Sequence, residues 1–468
     1  YDLVWGAPGA RRPQQPVSHN KQQETDMKEV NRFPAPAGEL GWFLTANNRH
    51  HVFAKPEEIE NEYDYVIVGA GFAGIMAASR LAENKPGASI AVFDAVQVGM
   101  GDSGRNAGFM IDVPHVTVGD PKVDADHHKW RLRLNKVVID RMRSIKQTHA
   151  LQVDWDETGK YLGAREKKCF PALDNLARFL EGIGSPSTLL DRAQSAAALG
   201  TDYYLKTLFT PGTILINPAE VVRGIATTLP ANVRIHERTA VIEVKEGTSP
   251  SVRLANGRTV KSKKVILTVS AFVNHFGIKE SGRLFGINSF GALTRELTPQ
   301  ELEQFRGVAP WGCTAAHPAG STVRFTSTNR IFIRNGFTFS THQCTSPQRV
   351  HYARKQLRKA FEARFPRLAH VNFEYVHGGM IPLTRNTQSL FGNVGQNIYA
   401  GTVGDGLGIT RSSMLGLYLA DLVCGLDSEE LRYLQKTNKP SWCPPEPFLT
   451  TGATAKLMYE EMTAGEEI

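Results

Sequence analysis

The 468-residue sequence lacks most of the features that mark membrane proteins and secreted proteins. It contains no run of about 18 apolar residues, the length that a membrane-spanning helix needs, and no apolar signal segment near its first residue. Its five cysteines are scattered and form no C-x-x-C pair, which favours a reducing cytoplasm over a disulfide framework. We therefore expect a cytoplasmic protein with no membrane span and no metal site.

The sequence also has only a small excess of positive over negative charge. Lys and Arg total 54 against 46 Asp and Glu, a net charge of +8, and no basic run follows the pattern of a nucleic-acid-binding tract. A solvated surface explains this small excess, and attraction of an anionic cofactor or an acidic substrate is the alternative. Hydrophobic residues at 41% and charged residues at 21% are typical of globular proteins. The length predicts roughly two to four domains.

The clearest local pattern begins near residue 62. An apolar strand at 65–68 precedes a glycine-rich turn, a helix at 75–83 and a second apolar strand at 90–93. A strand, a helix and a strand within about 30 residues predict a βαβ unit with a parallel sheet.

The turn of this unit reads G-x-G-x-x-G, with Gly69, Gly71 and Gly74 at the glycine positions. The first glycine makes the turn, the second admits a pyrophosphate and the third lets the helix pack closely on the strand. Asp94 ends the second strand, where a carboxylate binds a ribose hydroxyl. The motif therefore predicts a dinucleotide site. Its expected binding residues are Gly69, Gly71, Phe72, Ala73, Gly74, Asp94 and Ala95.

Two further glycine-rich stretches, 99–108 and 401–410, help to choose between NAD and FAD. The first contains Ser103-Gly104-Arg105-Asn106, and the second continues into a helix through Val423. With these motifs in this order, the sequence resembles the D-amino-acid oxidase superfamily of FAD-dependent oxidoreductases, in particular the gamma-glutamylputrescine oxidase branch. The resemblance adds the expected FAD-binding residues Gly101, Ser103, Gly104, Arg105, Asn106, Ala107, Gly108, Val241, Thr268, Gly404, Asp405, Gly406, Leu407, Gly408, Ile409 and Thr410.

The resemblance spans residues 62–428 and implies an α/β fold with two domains. One is a Rossmann-type FAD-binding domain with a parallel sheet, discontinuous in sequence, and the other is an α+β substrate domain on an antiparallel sheet. The expected division is an N-terminal arm at 1–61, the FAD-binding domain at 62–150, 213–275 and 376–428, the substrate domain at 151–212 and 276–375, and a C-terminal tail at 429–468.

The same resemblance places the 401–410 loop beside the pyrimidine end of the flavin. The positive end of the helix that begins near Ile409 would then stabilise negative charge on the reduced flavin. Some relatives attach the flavin through His or Cys, but residues 103–108 contain no His and the 401–410 loop contains no Cys. We therefore expect FAD to be bound without a covalent link.

The implied activity is oxidation of a C–N bond in a small amine or amino acid, with hydride transfer to flavin N5 and hydrolysis of the resulting imine. Arg334 and Arg385 are candidates to bind a substrate carboxylate, although Arg334 fits an ordinary strand position and Arg385 fits a residue that fixes a loop. His377 is a candidate for the cavity lining or for a buried structural histidine.

Two alternatives stay open at this stage. The chain could oxidise a C–O bond of a hydroxy acid, which would require a base such as His377. It could instead be a flavin-binding protein that binds a partner or takes part in RNA modification, supported only by the basic surface. The electron acceptor, whether oxygen, a quinone or an electron-transfer protein, is not specified by these motifs.

Overall fold

The computed structural model describes residues 29–30, 32–35, 37–113, 125–340 and 344–468. Its strands form two large sheets and one small sheet. In chain order the strands are β1 (Glu62–Val68), β2 (Ile90–Phe93), β3 (Phe109–Met110), β4 (Trp155–Asp156), β5 (Lys160–Ala164), β6 (Thr188–Leu190), β7 (Lys206–Thr210), β8 (Ile214–Ile216), β9 (Val233–His236), β10 (Val241–Lys245), β11 (Ser251–Leu254), β12 (Thr259–Leu267), β13 (Leu284–Thr294), β14 (Trp311–Ala315), β15 (Thr322–Phe325), β16 (Ile331–Phe339), β17 (Phe373–Thr384), β18 (Leu390–Gly395) and β19 (Ile398–Thr402).

Helices cover both large sheets. The described α-helices are α1 (Gly41–Leu44), α2 (Phe72–Asn84), α3 (Ala125–Thr148), α4 (Phe170–Gly182), α5 (Arg192–Leu199), α6 (Pro218–Thr227), α7 (Pro299–Leu302), α8 (Pro347–Arg364), α9 (Gly408–Val423), α10 (Glu429–Lys436) and α11 (Phe448–Ala464). Short 3-10 turns join several of these elements.

The first sheet has β1 at its centre, hydrogen-bonded in parallel to β2 and β12. Strand β9 extends it in parallel beyond β2, and β19 lies parallel to β12. All four residues of β2 are buried, since a parallel sheet is covered by helices on both faces. The predicted βαβ unit and the Rossmann-type fold are confirmed. The antiparallel β10–β11 hairpin and β18 complete the eight strands.

Helices α2 and α9 lie against this sheet and against each other. Their small residues allow the close approach, since a Cβ added at Gly416 of α9 would lie 1.9 Å from the Ala73 carbonyl oxygen of α2. Helix α2 begins three residues before the predicted 75, directly after Gly71. The first turn of α2 follows the glycine turn of the groove described below, and the first turn of α9 lies at the cavity described below.

The second sheet has the strand order β17-β13-β16-β15-β14-β5-β7-β6. Every pair is antiparallel except β14 with β5, and α8 packs its apolar face on the sheet. The predicted boundary at residue 376 is wrong in one respect. Strand β17 pairs along β13 from Leu284 to Thr294, so the chain leaves the second sheet only after Thr384. With this correction, the division into two domains stays a proposal.

The described part of the N-terminal arm lies against both sheets. The Val30 N–H donates to the Ile242 carbonyl oxygen at 2.6 Å, and Gly38 forms a β-bridge with His377. Trp42 donates from Nε1 to the Asn106 carbonyl oxygen at 3.1 Å. Residues 1–28, 31 and 36 of the predicted arm lie outside the described residues. The rest forms a strap across the body of the protein.

The predicted C-terminal tail is instead largely helical. Between the prolines that end at Pro447 and the glycine at Gly465, the chain forms the 17-residue α11. Ala453 and Leu457 of this helix pack in a cluster with Phe285 and Phe339 of the second sheet. Among the described helices, none is long and apolar enough to cross a membrane. The expected cytoplasmic location stays a prediction.

Candidate cofactor groove and active-site cavity

A groove runs past the carboxyl ends of β1 and β2, the edge at which open α/β sheets bind ligands. It is formed by the glycine turn after β1, by the residues after β2 and by the ends of β10 and β12. The predicted residues that line it are Gly69, Gly71, Asp94, Ala95, Gly101, Ser103, Val241 and Thr268. Residues Val30 and 32–34 of the strap cover its outer side.

The glycine turn has the geometry that its sequence predicts. Gly69 has a φ of +101°, a value that favours glycine. A Cβ added at Gly74 would lie 1.8 Å from the Gly69 carbonyl oxygen, so only glycine permits this approach of α2 to the turn. Ser103 Oγ accepts a hydrogen bond from the Phe72 N–H at 3.1 Å. Gly74 and Phe72 therefore shape the groove without lining it.

Asp94 lies in the groove with its carboxylate fixed by backbone. It accepts the N–H groups of Ala70 at 2.7 Å and Val96 at 2.9 Å. Burial raises its pKa to about 6, because the ionised form loses water that these two hydrogen bonds only partly replace. The nearby carboxylates of Glu237 and Asp102 contribute to this rise in the pKa of Asp94. A ribose hydroxyl would supply a further donor.

A narrow passage joins the groove to a larger cavity. Gly101 and Asp102 line both the groove and the passage, and Asp102 and Arg105 line both the passage and the cavity. Burial raises the pKa of Asp102 to about 6 and lowers that of Arg105 to about 10. Arg105 donates from Nε to the Met100 carbonyl oxygen and from Nη1 to that of Gly378, both at 2.8 Å. The three spaces adjoin one another in this order at the shared residues and are together called the path below.

The cavity lies between the second sheet and the first turn of α9. The predicted residues Arg105, Asn106, Ala107, Gly406, Leu407, Gly408, Ile409 and Thr410 line it, together with Arg334. Helix α9 begins at Gly408, one residue before the predicted position, and no side chain caps its N-terminus. The positive end of the helix dipole therefore faces the cavity.

Several predicted cofactor residues support these walls from behind. Asp405 pairs with Arg131 at 2.6 Å and with Arg411, and it accepts the Leu407 N–H at 3.2 Å. Burial raises its pKa, an effect that Arg131 opposes. This carboxylate thus fixes the α9 loop. The predicted residues that line neither groove, passage nor cavity are Phe72, Ala73, Gly74, Gly104, Gly108, Gly404 and Asp405.

Of the three predicted substrate residues, only Arg334 lines the cavity. It projects from β16, donates from Nη2 to Thr322 Oγ1 at 2.8 Å and lies over the Phe337 ring. Arg385 instead donates to the Trp442 carbonyl oxygen at 3.0 Å and lines a separate outer pocket. Of the two alternatives, Arg385 therefore fits a residue that fixes a loop, here the segment before α11, and not one that binds a substrate carboxylate in the cavity.

His377 also lies outside the cavity lining. It is 1% exposed and stacks on Phe332, and its ring lies against Gly291, so that a Cβ added at that glycine would be 2.9 Å from Cε1. Burial, together with the charge of the adjacent Arg105, lowers its pKa to about 3. The histidine is therefore a neutral packing residue in the core. Of the two alternatives, His377 is therefore the buried structural histidine and not a residue of the cavity lining that could act as a base.

Sequence reasoning missed part of the cavity. Asp102 lies inside the predicted 99–108 stretch, and its position after Gly101 was a signal that could have identified it. The lining residues Ile287 and Phe337 are apolar strand residues with no local signal. Leu457 and Ile468 lie in the predicted C-terminal tail at 429–468. Such residues reach the cavity only through tertiary packing.

The path fits FAD on observations of the chain itself. A dinucleotide with a large ring system needs a groove for its ribose and phosphates and a wider space for the ring, in the order found here. Within the described residues, Arg105 Nη2 and Thr410 Oγ1 are buried without a hydrogen-bond partner, and both residues line the cavity. Carbonyl and ring nitrogen atoms of a flavin would satisfy such donors.

The sequence model of the family described as FAD dependent oxidoreductase matches residues 64–422. Gamma-glutamylputrescine oxidoreductase of Escherichia coli is 26% identical over 414 residues, 86% of this chain and 91% of the relative. The probable oxidoreductase OrdL of Haemophilus influenzae is 24% identical over 416 residues, with the same coverage of both chains.

Solved structures show the same fold. Glycine oxidase from Geobacillus kaustophilus superposes with a TM-score of 0.65 at 19% identity, covering 79% of this chain and 96% of that one. Iminodiacetate oxidase from Chelativorans superposes with a TM-score of 0.64 at 15% identity, covering 78% and 96%.

Proposed function

This chain belongs to the DAO family of FAD-dependent oxidoreductases, and from that premise we propose that it oxidises a C–N bond of a small amine or amino acid. The relative named gamma-glutamylputrescine oxidoreductase and the neighbours named glycine oxidase and iminodiacetate oxidase support this substrate class. The observation that carries the proposal is the composition of the cavity, which is mostly apolar, contains Arg334 and has no histidine among its described lining residues.

FAD, when bound, supplies the acceptor for one hydride, which carries both electrons of the oxidation. Gly69, Gly71 and Ser103 would hold its phosphates, Asp94 would bind its ribose, and Arg105 with Thr410 would hold its ring system. The N-terminus of α9 would stabilise negative charge that arrives at the ring, because its unsatisfied N–H groups already face the cavity.

The apolar lining would bind the amine in its neutral form. Phe109, Ile287 and Phe337 remove water from the space beside the α9 loop, and desolvation lowers the pKa of an ammonium group. A neutral nitrogen keeps its lone pair, so the substrate can lose a hydride from the adjacent carbon and form a C=N bond. Water would then hydrolyse this imine to a carbonyl compound and an amine or ammonia.

Arg334 would orient an amino-acid substrate by its carboxylate. A guanidinium that projects from a strand offers two parallel N–H donors at a fixed angle, the arrangement that a carboxylate accepts best. The contact with Thr322 and the Phe337 ring holds the side chain on the cavity wall. A hydroxy-acid reaction would need a base that removes the hydroxyl proton, and His377 is outside the lining. Since carboxylates such as Asp102 also line the cavity, the preference for an amine rests on the relatives named for amine and amino-acid substrates.

We also propose that FAD is bound without a covalent link. The described residues that line the groove, the passage and the cavity include no histidine and no cysteine, the two side chains considered for attachment. Acid precipitation of the purified protein should release all the flavin into the supernatant. Flavin that stays with the precipitated chain would contradict this proposal.

Product analysis tests the substrate class. The holoenzyme is incubated in air with separate amines, amino acids and hydroxy acids, and carbonyl products and released ammonia or amine are measured by mass spectrometry. We expect one carbonyl compound and one nitrogen product in equal amounts from an amine or amino acid. Turnover of hydroxy acids alone would overturn the proposal. If air does not serve as acceptor, an added quinone or dye replaces it.

A further inference from the structure

One wall of the cavity is built by the chain beyond the residues that the family model matches. Helix α11 and the residues after it contribute Leu457, Glu460, Glu461 and Ile468 to the lining. The family match ends at residue 422, so none of these four residues belongs to it. The mechanism above uses none of them. They are positioned to distinguish the substrate of this chain from those of other family members.

This wall is firmly anchored at Glu467. Its buried carboxylate accepts the N–H groups of Arg165 at 2.7 Å and Glu166 at 2.9 Å. Its carbonyl oxygen accepts the Ser321 N–H at 2.8 Å and Arg364 Nη2 at 2.9 Å. Four hydrogen bonds in a buried setting make local opening of this segment costly. The side chain of the adjacent Ile468 is thereby held in place against the cavity.

Two apolar residues of the wall, like the neighbouring Glu461, line both the cavity and an outer pocket. Leu457 lines both the cavity and a pocket formed with Phe448 and Leu449. Ile468 lines both the cavity and a second outer pocket, beside Tyr203. Leu457 and Ile468 thus each form part of the partition between the cavity and an outer pocket. Shortening either one would extend the cavity outward.

We propose that Leu457 and Ile468 determine substrate specificity by limiting the length of the substrate chain beyond the oxidised C–N bond. This inference rests on the proposed function and narrows its substrate class to short amines and amino acids whose far end meets the Leu457 and Ile468 side chains. Packed protein interiors do not stretch to admit extra atoms. One methylene group too many against such a wall lowers kcat/KM by about tenfold or more.

The test compares holoenzyme variants Leu457→Ala and Ile468→Ala with the wild type. Two series of substrates, unbranched 2-aminoalkanoic acids and 1-aminoalkanes, run from two to eight carbons. In parallel, unbranched carboxylic acids of the same lengths, which cannot be oxidised, are titrated, and binding is followed by the change in flavin absorbance. We expect the kcat/KM ratio of long to short substrates to rise about tenfold in each variant. The affinity ratio of the carboxylic acids should rise in parallel.

Matched controls come from the opposite face of the same helix. Met458 is 58% exposed and Met462 is 81% exposed, so Met458→Ala and Met462→Ala shorten α11 side chains without touching the cavity. Their length preference should stay at the wild-type value. A change in these controls equal to that in Leu457→Ala would overturn the proposal, since it would show a general loosening of the helix.

Enlarging the side chain tests the same partition without creating a void. Leu457→Phe should shift the preference toward shorter substrates. Unchanged length preference in Leu457→Ala, Ile468→Ala and Leu457→Phe, with wild-type flavin content, would overturn the inference. A wild type that no amine reduces would instead overturn the proposed function, and the carboxylic-acid titration would still measure the length limit.

Discussion

The cofactor groove and the active-site cavity share Asp102 but are assembled in different ways. Most of the groove comes from two short stretches, 68–71 and 93–103, within one βαβ unit. The cavity takes its lining from residues between Asp102 and Ile468, on strands of the second sheet, the α9 loop and α11. A local unit fixes the groove, whereas tertiary packing of distant elements fixes the cavity. Cofactor binding and substrate choice should therefore respond to different substitutions.

The largest effect is expected at the glycine turn. Gly74→Ala would place a Cβ 1.8 Å from the Gly69 carbonyl oxygen and would push α2 away from the turn that holds the phosphates. We expect FAD affinity to fall at least about 100-fold, equivalent to about 3 kcal/mol. The measurement is the flavin-to-protein absorbance ratio after purification, followed by titration of the apoprotein with FAD.

Gly87→Ala is the matched control, because a Cβ at this position meets nothing within 4 Å. It should retain wild-type flavin content. A Gly74→Ala protein that retains flavin and binds FAD with wild-type affinity would contradict the expected difference between the groove and the rest of the molecule.

The next effect separates the cavity from the groove. Arg334→Met removes a guanidinium from the cavity wall, and we expect kcat/KM for amino acids to fall about 100-fold, because a hydrogen-bonded ion pair contributes about 3 kcal/mol. Flavin content should not change. Steady-state kinetics with amino acids and with amines that lack a carboxylate measure the effect, and the second group should change little.

Arg385→Met is the control for this prediction. Its guanidinium contacts the Trp442 carbonyl oxygen outside the cavity, so kcat/KM for amino acids should change by only a few-fold. Equal losses in both variants would mean that the two arginines act through the fold and not through substrate binding.

A smaller, pH-dependent effect is expected in the groove. The ionised Asp94 accepts a ribose hydroxyl more strongly than the neutral acid does, and its pKa is about 6. FAD affinity should therefore be constant above pH 6 and fall by up to about tenfold per pH unit below it. The stability of the apoprotein changes with pH in the opposite direction. Because the pKa of Asp94 is raised in the fold, this residue stabilises the folded apoprotein below its ordinary pKa of 3.8, and the stabilisation is lost as the pH rises through 6.

Fluorescence titration of the apoprotein with FAD between pH 5 and 8 measures this dependence. Asp94→Asn should weaken binding at pH 8 and flatten the pH profile. Since burial also raises the pKa of Asp102 to about 6, Asp102→Asn is measured alongside. A profile that stays steep in both variants would contradict the assignment to the groove carboxylates.

The smallest effect on catalysis is expected at His377. The ring packs behind the cavity, so His377→Asn should change kcat/KM for an amine by less than about tenfold, mainly through lost packing. The pH profile of flavin reduction should keep its shape. A loss of several orders of magnitude with full flavin content would instead support the alternative in which this residue acts as a base on a hydroxy acid.

Much of the fold could be predicted because its signals are local. The apolar strands β1 and β2, the glycine turn and Asp94 lie within about 30 residues, and each has a direct physical role. The end of the second domain was harder to place. Strand β17 is followed by residues of the first sheet, and no composition change marks the transition at Thr384.

The candidate site could be predicted only in part, for the same reason. The groove residues follow from the motif, and Arg334 was one of two arginines that sequence alone could not separate. Arg385 and His377 have suitable chemistry, but Arg385, directly after β17, makes a loop contact and His377 lies in the core. Leu457 lies beyond a proline-rich stretch that is typical of a tail, yet α11 packs on the second sheet.

The central claim is that an amine loses a hydride in this cavity, and anaerobic mixing of the holoenzyme with matched substrate pairs tests it most directly. Each amino acid is compared with the hydroxy acid of the same carbon skeleton, such as alanine with lactate, and the visible flavin absorbance is followed. The account predicts that the amine member of at least one pair bleaches the flavin while its hydroxy partner does not. Bleaching by hydroxy acids alone would contradict it.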